Sequence, residues 1–435
     1  MIRKISALLF LLLVVSCSTR ERKQKNIIAD DIVNFWKAYD KITSTKDTIL
    51  QYAYLDSLYL QKATAGLRAI REVRNYTPED YITAINNYPK FWNSIRKNTL
   101  QVDKYSQELE KGIEKLKEIY PELKPATVYF TIGALRTNGT VLDSLVLIGS
   151  ELAMTDKNTI SSEFSEPLQE ARKTFFETNP IDNLVLLNAH EFIHTQQKPM
   201  VYNLLSQVIY EGVAEFVSAT ALQVSPVTPA IAFGKKNEKR VKERFEHEMF
   251  YPNNTSKWLW SNAPNEFGIR DLGYYIGYQM CENFYHKSSD KKQAIKKLIE
   301  LDYSNEKEVE AFVKEAGFFT TSLDELYERF DKKRPVVLGI KEFENESKQV
   351  DSNLKQITIN FSQPLNGYNT GVDYGELGEN AFPKVVNRVW GEDNKSWTLT
   401  VELEPKKEYQ LLISNNFRTQ DDVPLKPYIV HFVTK

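Results

Sequence analysis

His190 and His194 stand four residues apart in the run Asn188-Ala-His-Glu-Phe-Ile-His194. On an α-helix, at about 100° per residue, that spacing sets both imidazoles on nearly the same face, one turn apart. Two imidazoles on one face of a rigid, buried helix are what a tetrahedral zinc ion requires from its first two ligands. Glu191 follows the first histidine, where its carboxylate can reach a water on the metal without ligating the metal itself. The chain has five histidines in 435 residues, so a random H-E-x-x-H would arise in roughly one such chain in a few hundred. The plainer alternative is a buried helix with two hydrogen-bonded core histidines.

A second apolar helical stretch, from about Val201 to Leu222, carries Tyr210-Glu-Gly-Val-Ala-Glu215. Carboxylates on a buried helix are expensive unless a cation or a hydrogen-bond partner meets them. Gly212 costs about 1 kcal/mol relative to alanine in a helix interior, which points to a packing reason for it. Glu211 as third ligand would complete two-His-one-Glu coordination of a single Zn2+ and leave the fourth position open, the mark of a catalytic site. Glu215, one turn on, would accept a hydrogen bond from the free nitrogen of a ligating histidine and fix its tautomer. The residue types leave the swapped assignment open, with Glu215 as the ligand.

The elements that must position these groups are legible as patterns. The first helix reads from Asn179 as N-cap, with Pro180 at its first position, Asp182 near its positive end, an apolar Leu184 to Leu187 and a stop at Lys198-Pro199. Ile27 to about Leu123 has helical periodicity. Val128 to Ile132 and Leu145 to Ile148 are short β-like runs, and helical pattern returns from Phe164 to about Phe330. Beyond Arg334-Pro335, six short alternating runs (Val336–Phe343, Gln356–Phe361, Lys384–Trp390, Trp397–Leu403, Tyr409–Ser414 and Tyr428–Thr434) indicate an antiparallel β-sandwich. The expected fold class is α+β: a mostly helical domain with a small sheet over 27–333, followed by a sandwich over 334–435. The first domain divides into an N-terminal helical part, 27–125, and a catalytic core, 126–333.

These motifs resemble the gluzincin clan of zinc peptidases, whose third ligand is a glutamate on the helix after His-Glu-Phe-Ile-His194, here Glu211. More closely, Phe35-Trp36, Gly149-Ser-Glu151, His-Thr-Gln-Gln197, Trp258-Leu-Trp260 and Leu272-Gly-Tyr-Tyr-Ile-Gly277 are similar to a family of predicted zinc-dependent proteases found in bacterial lipoproteins, over about residues 27–320. The resemblance implies that Tyr274, in Tyr274-x-x-Gly277, supplies a phenol to the oxyanion. It also implies that Leu145 to Glu151 is the edge strand that pairs with an extended peptide. The Gly-Ala-Met-Glu-Asn motif of the aminopeptidase branch is missing. The C-terminal runs resemble bacterial Ig-like domains, which offer a face to a protein partner.

The ends of the chain bear on compartment. Arg3 and Lys4 precede an apolar run, Ile5 to Val15, too short to span a bilayer. Val14-Val15-Ser16-Cys17 resembles a bacterial lipobox, which implies a signal peptide over 1–16, a diacylglycerol on Cys17, a polar tether over 17–26, and a place in the cell envelope at the outer membrane or cell surface. Cys281 is the one other cysteine, so lipidation of Cys17 rules out an internal disulfide. Lys plus Arg number 56 against 58 Asp plus Glu, which argues against a nucleic-acid partner. His247 and His286 read as solvated, His431 as structural. The expected function is a lipid-anchored zinc metallopeptidase acting on a peptide or protein substrate, with Glu191 as general base. Its rivals are a non-catalytic surface binding or assembly lipoprotein, and a zinc amidase acting on cell-wall crosslinks.

Overall fold

The structure is a computed structural model that describes residues 26–199, 203–261 and 265–435. The expected signal peptide, Cys17 and most of the tether lie outside the described residues. The fold class is α+β, and none of the described helices is long and apolar enough to cross a membrane. Chain contacts divide it into two compact units, 1–110 with 125–181 and 111–124 with 182–435. This division runs through the expected 126–333 core.

In the first unit, five helices from Asp30–Thr43 to Pro89–Thr99 gather aromatic residues because their apolar positions recur at helical spacing. Phe35, Trp36, Tyr59 and Trp92 are fully or nearly fully buried. The two indoles donate to Thr99 Oγ1 and to the carbonyl of Ala84, at 2.9 Å each. A four-stranded sheet completes the unit: β1 (Ile27–Ile28), β2 (Thr127–Thr131), β3 (Gly139–Leu142) and β4 (Leu145–Gly149), in the order β1-β2-β4-β3. β4 is hydrogen-bonded in parallel to β2 and antiparallel to β3. It is therefore an interior strand, and the expected peptide-pairing edge at Leu145 to Glu151 is not there. Glu151 lies fully buried just past β4 and accepts the backbone N–H groups of Gly133 (2.9 Å) and Leu135 (3.1 Å). Burial pushes its carboxyl up to about 7 against the opposing pull of those donors.

The second unit holds the helices that carry the chemistry: α1 (Leu184–His194), α2 (Leu204–Leu222) and α3 (Leu272–Lys287). α1 begins later than its sequence signals suggest. Residues Pro180–Asn183 form a 3-10 turn, Asn183 takes the N-cap position, and the Asn179 side chain accepts the backbone N–H of Lys157 instead. α2 starts at Leu204 with Asn203 capping Ser206 N at 2.8 Å. α2 and α3 cross backbone to backbone at two glycines. A Cβ on Gly212 would sit 2.1 Å from Gly277 C, and one on Gly277 would sit 1.7 Å from Val208 O. Gly212 is there to let α3 in.

The C-terminal seven strands are β5 (Val337–Ile340), β6 (Gln356–Phe361), β7 (Val372–Tyr374), β8 (Lys384–Trp390), β9 (Ser396–Glu402), β10 (Glu408–Ile413) and β11 (Tyr428–Val433). They form antiparallel sheets ordered β5-β6-β9-β8 and β11-β10-β7. Lettered in chain order these are ABED and GFC, the strand order of a constant-type immunoglobulin domain. Ile357, Ile359, Trp397 and Leu399 of one sheet and Tyr409, Leu411, Val430 and Phe432 of the other share one core. Tyr409, at the start of strand F, accepts the backbone N–H of Glu404 at 2.7 Å, the tyrosine corner of that fold. The sandwich is tied to the preceding helix: Arg334 donates to the carbonyls of Pro424 and Leu425, and Lys426 pairs with Asp331.

Candidate metal centre

α1 turns His190 and His194 to one face, and α2 lays Glu211 against both. His190 Nε2 and His194 Nε2 are 3.0 Å apart, and Glu211 Oε2 lies 3.4 Å from each. All three residues are buried. Among the described residues they are the one group whose donor atoms converge as metal ligands would. A tetrahedral ion with bonds of about 2.0–2.1 Å holds its ligand atoms about 3.3–3.4 Å apart, so the spacing fits zinc.

The hydrogen bonds behind the rings sharpen the fit. His190 Nδ1 is 3.0 Å from Glu215 Oε2, a carboxylate that can only accept from it. Glu215 Oε1 is held by the Thr228 hydroxyl at 2.6 Å. His194 Nδ1 is 2.7 Å from Gln197 Oε1. The Gln197 amide nitrogen already donates to the Tyr210 carbonyl and the Tyr303 hydroxyl, both at 2.9 Å, so its oxygen faces the ring. This network assigns the ring proton to Nδ1 in both histidines and leaves both Nε2 lone pairs facing each other and the Glu211 carboxylate. In that tautomer three lone-pair donors converge with no protein proton between them, an arrangement that could hold a metal ion. Without an ion the carboxylates favour positive charge here: burial works against a charged His190, but hydrogen bonds to Glu211 and Glu215 outweigh it and hold the ring well above its ordinary value, so a proton and a metal ion would compete for its Nε2. Burial raises Glu211, yet His194 and His190 together pull it well below the usual carboxylate range.

Between the two carboxylates, Glu211 is thus the one that faces both Nε2 atoms, and Glu215 stands behind His190. Glu191 is buried on α1, one residue and about 100° round from His190. Tyr274 comes from α3, delivered by the glycine crossing. Its ring stacks 6.2 Å from that of His190, which brings its phenol into the field of Glu211. Burial, then the charges of Glu211 and Asp271, push this phenol well above its ordinary value, so it remains a donor. Tyr210 stacks on His194 at 4.5 Å.

Sequence reasoning did not assign Gln197, Thr228 or Tyr303. A glutamine three residues after the second histidine was the available signal; the other two come from distant segments. His247 and His286 are exposed, and Cys281 is a buried free thiol. His431 lies between Glu346 (2.5 Å) and Glu408 (2.9 Å) in the sandwich.

No curated protein matches the chain. Among solved structures it is similar at a low level to the S-layer protein rSbsC (12% identity, 93% of this chain and 44% of that one, TM-score 0.17). Surface layer protein SbsC, domains 1-6, gives 12% identity over 93% and 45%, TM-score 0.19. The N-terminal part of the bacterial S-layer protein SbsC gives 13% over 93% and 77%, TM-score 0.17. The chain spans less than half the length of the first two, and scores this low carry no argument about fold. The family model for lipoproteins described as gliding motility protein GldB matches residues 21–308. That span contains His190, His194, Glu211, Glu215 and Tyr274 and ends before the sandwich. The chain belongs to the gliding motility protein GldB family.

Proposed function

We propose that this protein is a zinc-dependent hydrolase of the cell envelope, a metallopeptidase of gluzincin type anchored through a lipid on Cys17, at the outer membrane or cell surface. The observation that carries the reading is the convergence of the two Nε2 atoms and the Glu211 carboxylate at one point, with the Tyr274 phenol ring stacked beside them. His190, His194 and Glu211 would hold the ion, which when bound supplies a Lewis acid for a substrate carbonyl and lowers the pKa of a water. Glu215 and Gln197 hold the two rings in the ligating tautomer. Glu191 accepts the proton of the attacking water and returns it to the leaving amine. Tyr274, kept protonated, donates to the oxygen on which negative charge develops.

The test is zinc content by elemental analysis of the purified full chain, beside hydrolysis of a casein or peptide library with chelator and zinc re-addition. Wild type should carry about one zinc and His190→Ala none. Glu191→Gln should keep the zinc and lose about a hundredfold or more in rate. A zinc-free wild type, or an undiminished Glu191→Gln, would sink the proposal.

A second reading is favoured by the family description, which fits a non-catalytic motility lipoprotein more directly than it fits hydrolysis. In that reading the metal centre is structural and the Ig-like domain binds a partner. Full zinc occupancy with no cleavage of the library, and no release of cell-wall crosslink products by mass spectrometry, would support it over the first.

A further inference from the structure

The Tyr274 hydroxyl has a second neighbour, and it is an unusual residue. Trp260 Nε1 lies 3.2 Å from Tyr274 Oη. An indole N–H can only donate, so the phenol oxygen must accept from it, and the phenol's own proton is left for an acceptor elsewhere. Trp260 is also held in a backbone conformation that bulky side chains avoid. Its φ is +58°, in the left-handed region, a placement that costs free energy and persists only where the surroundings enforce it. The enforcement is visible: its backbone N–H donates to Asp271 Oδ1 at 2.8 Å. Asp271, itself at φ +63°, caps α3, and its carbonyl accepts the backbone N–H of Tyr274 at 3.0 Å. One aspartate thus ties the indole and the phenol into a single frame. Nearly half of Trp260, 46%, is nonetheless exposed. Packing alone does not explain a strained, half-exposed tryptophan beside a buried polar cluster.

We infer that Trp260 is a positioning residue for Tyr274: its indole N–H occupies the outward side of the phenol oxygen and so aims the phenol proton at whatever anionic oxygen occupies the centre of His190, His194 and Glu211. This rests on the proposed function, since the anion in question is the one the metal centre would hold. Trp260 acts only through Tyr274, so its contribution must vanish when the Tyr274 hydroxyl is gone.

A double-mutant cycle tests this with acetohydroxamate, a small chelating anion that needs no knowledge of the substrate. Zinc-loaded full chain is titrated as wild type, Trp260→Phe, Tyr274→Phe and the double variant, with zinc content measured for each. Trp260→Phe keeps a ring but no N–H, and should weaken hydroxamate binding about threefold to tenfold, the range of one hydrogen bond, with zinc content unchanged. In the Tyr274→Phe background the same change should have no effect. Trp260→Asn, a residue at ease with positive φ, repeats the cycle so that a folding defect in one variant does not silence it. Equal losses in both backgrounds, or no loss in the first, would overturn the inference. A wild type that takes up no zinc would instead overturn the proposed function on which it rests.

Discussion

Replacing Gly277 by alanine should separate the helix that carries Tyr274 from the helix that carries Glu211. An ideal Cβ at position 277 falls 1.7 Å from Val208 O, 2.7 Å from Val208 C and 2.9 Å from Gly212 Cα. All three obstacles are backbone or the opposing glycine, so no rotamer change relieves them. An ordinary carbon–oxygen contact is about 3.3 Å, so α3 must move about 1.5 Å away from α2. Overpacking of this kind costs about 3 kcal/mol, while alanine returns about 1 kcal/mol of helix propensity. The net loss of about 2 kcal/mol corresponds to a fall of about 4–8 °C in Tm for a unit of this size. Gly112→Ala is the internal control, because its Cβ would meet side-chain methyls and no backbone, Leu222 Cδ2 in ordinary contact at 3.6 Å and Val185 Cγ1 closer, at 3.0 Å. That methyl can give way, and the substitution should be neutral or stabilising by up to about 1 kcal/mol. Thermal melts of the two variants beside wild type read the difference, and zinc content should survive in both, since α1 and α2 keep their ligands. A Gly277→Ala chain that melts within about 1 °C of wild type would refute the claim that the crossing is set by backbone contact.

Gln197→Leu removes the acceptor from His194 Nδ1 and should weaken zinc binding about tenfold or more; competition against a chromophoric chelator measures it. Gln196→Leu, at a neighbour whose side chain is engaged with the Lys124 backbone instead, should leave zinc affinity unchanged. In the sandwich, hydrogen bonds to Glu346 and then Glu408 raise the pKa of His431 against its desolvation. A raised histidine contributes stability fully below its unfolded value near 6.5 and loses it as pH rises through the folded value. His431→Gln should therefore flatten the fall in stability above about pH 6.5. The glutamates are more than half exposed, so after screening the effect is under about 1 kcal/mol. Urea titrations across that range read it.

The features of the centre that local helix geometry determines were legible from residue order. Spacing alone puts His190 and His194 on one face, and two acids on an apolar helix announce a partner. Alternation likewise marks six of the seven sandwich strands; the seventh, Val372–Tyr374, is three residues long and too short to show a period. What depended on distant chain segments was hidden. Asn179 has the composition of a cap, but Lys157 N competes for its side chain. β4 has the apolar run of any strand, and nothing within it says that β2 and β3 flank it on both sides. Gln197 acquires its role from Tyr303, 106 residues away. A positive φ at a tryptophan runs against every local preference, so the placement of Trp260 is a tertiary effect.

The charge inventory argues for a divalent ion rather than a satisfied histidine pair. Glu211 and Glu215 are each about 6% exposed, and neither has an ion pair with a lysine or arginine among the described residues; their ion-pair partners are His190 and His194. With both rings in the neutral tautomer that Glu215 and Gln197 favour, the cluster carries two negative charges in a buried site, a cost of several kcal/mol for each uncompensated ion. Protonating both rings would cancel the charge but would set two imidazolium Nε2–H groups against each other across 3.0 Å, and protonating one would make a hydrogen bond between the rings but leave one carboxylate uncompensated. One divalent cation at the common point cancels both carboxylates, uses both lone pairs and keeps every Nδ1–H bond in place. Such an ion would have three protein ligands. A purely structural zinc site is ordinarily closed by four, and the phenol of Tyr274, its ring stacked against His190, is a further polar group beside the cluster. A fourth position without a protein ligand is what the proposed hydrolysis requires, so a count of protein ligands on the bound ion, three or four, would discriminate the catalytic from the structural reading.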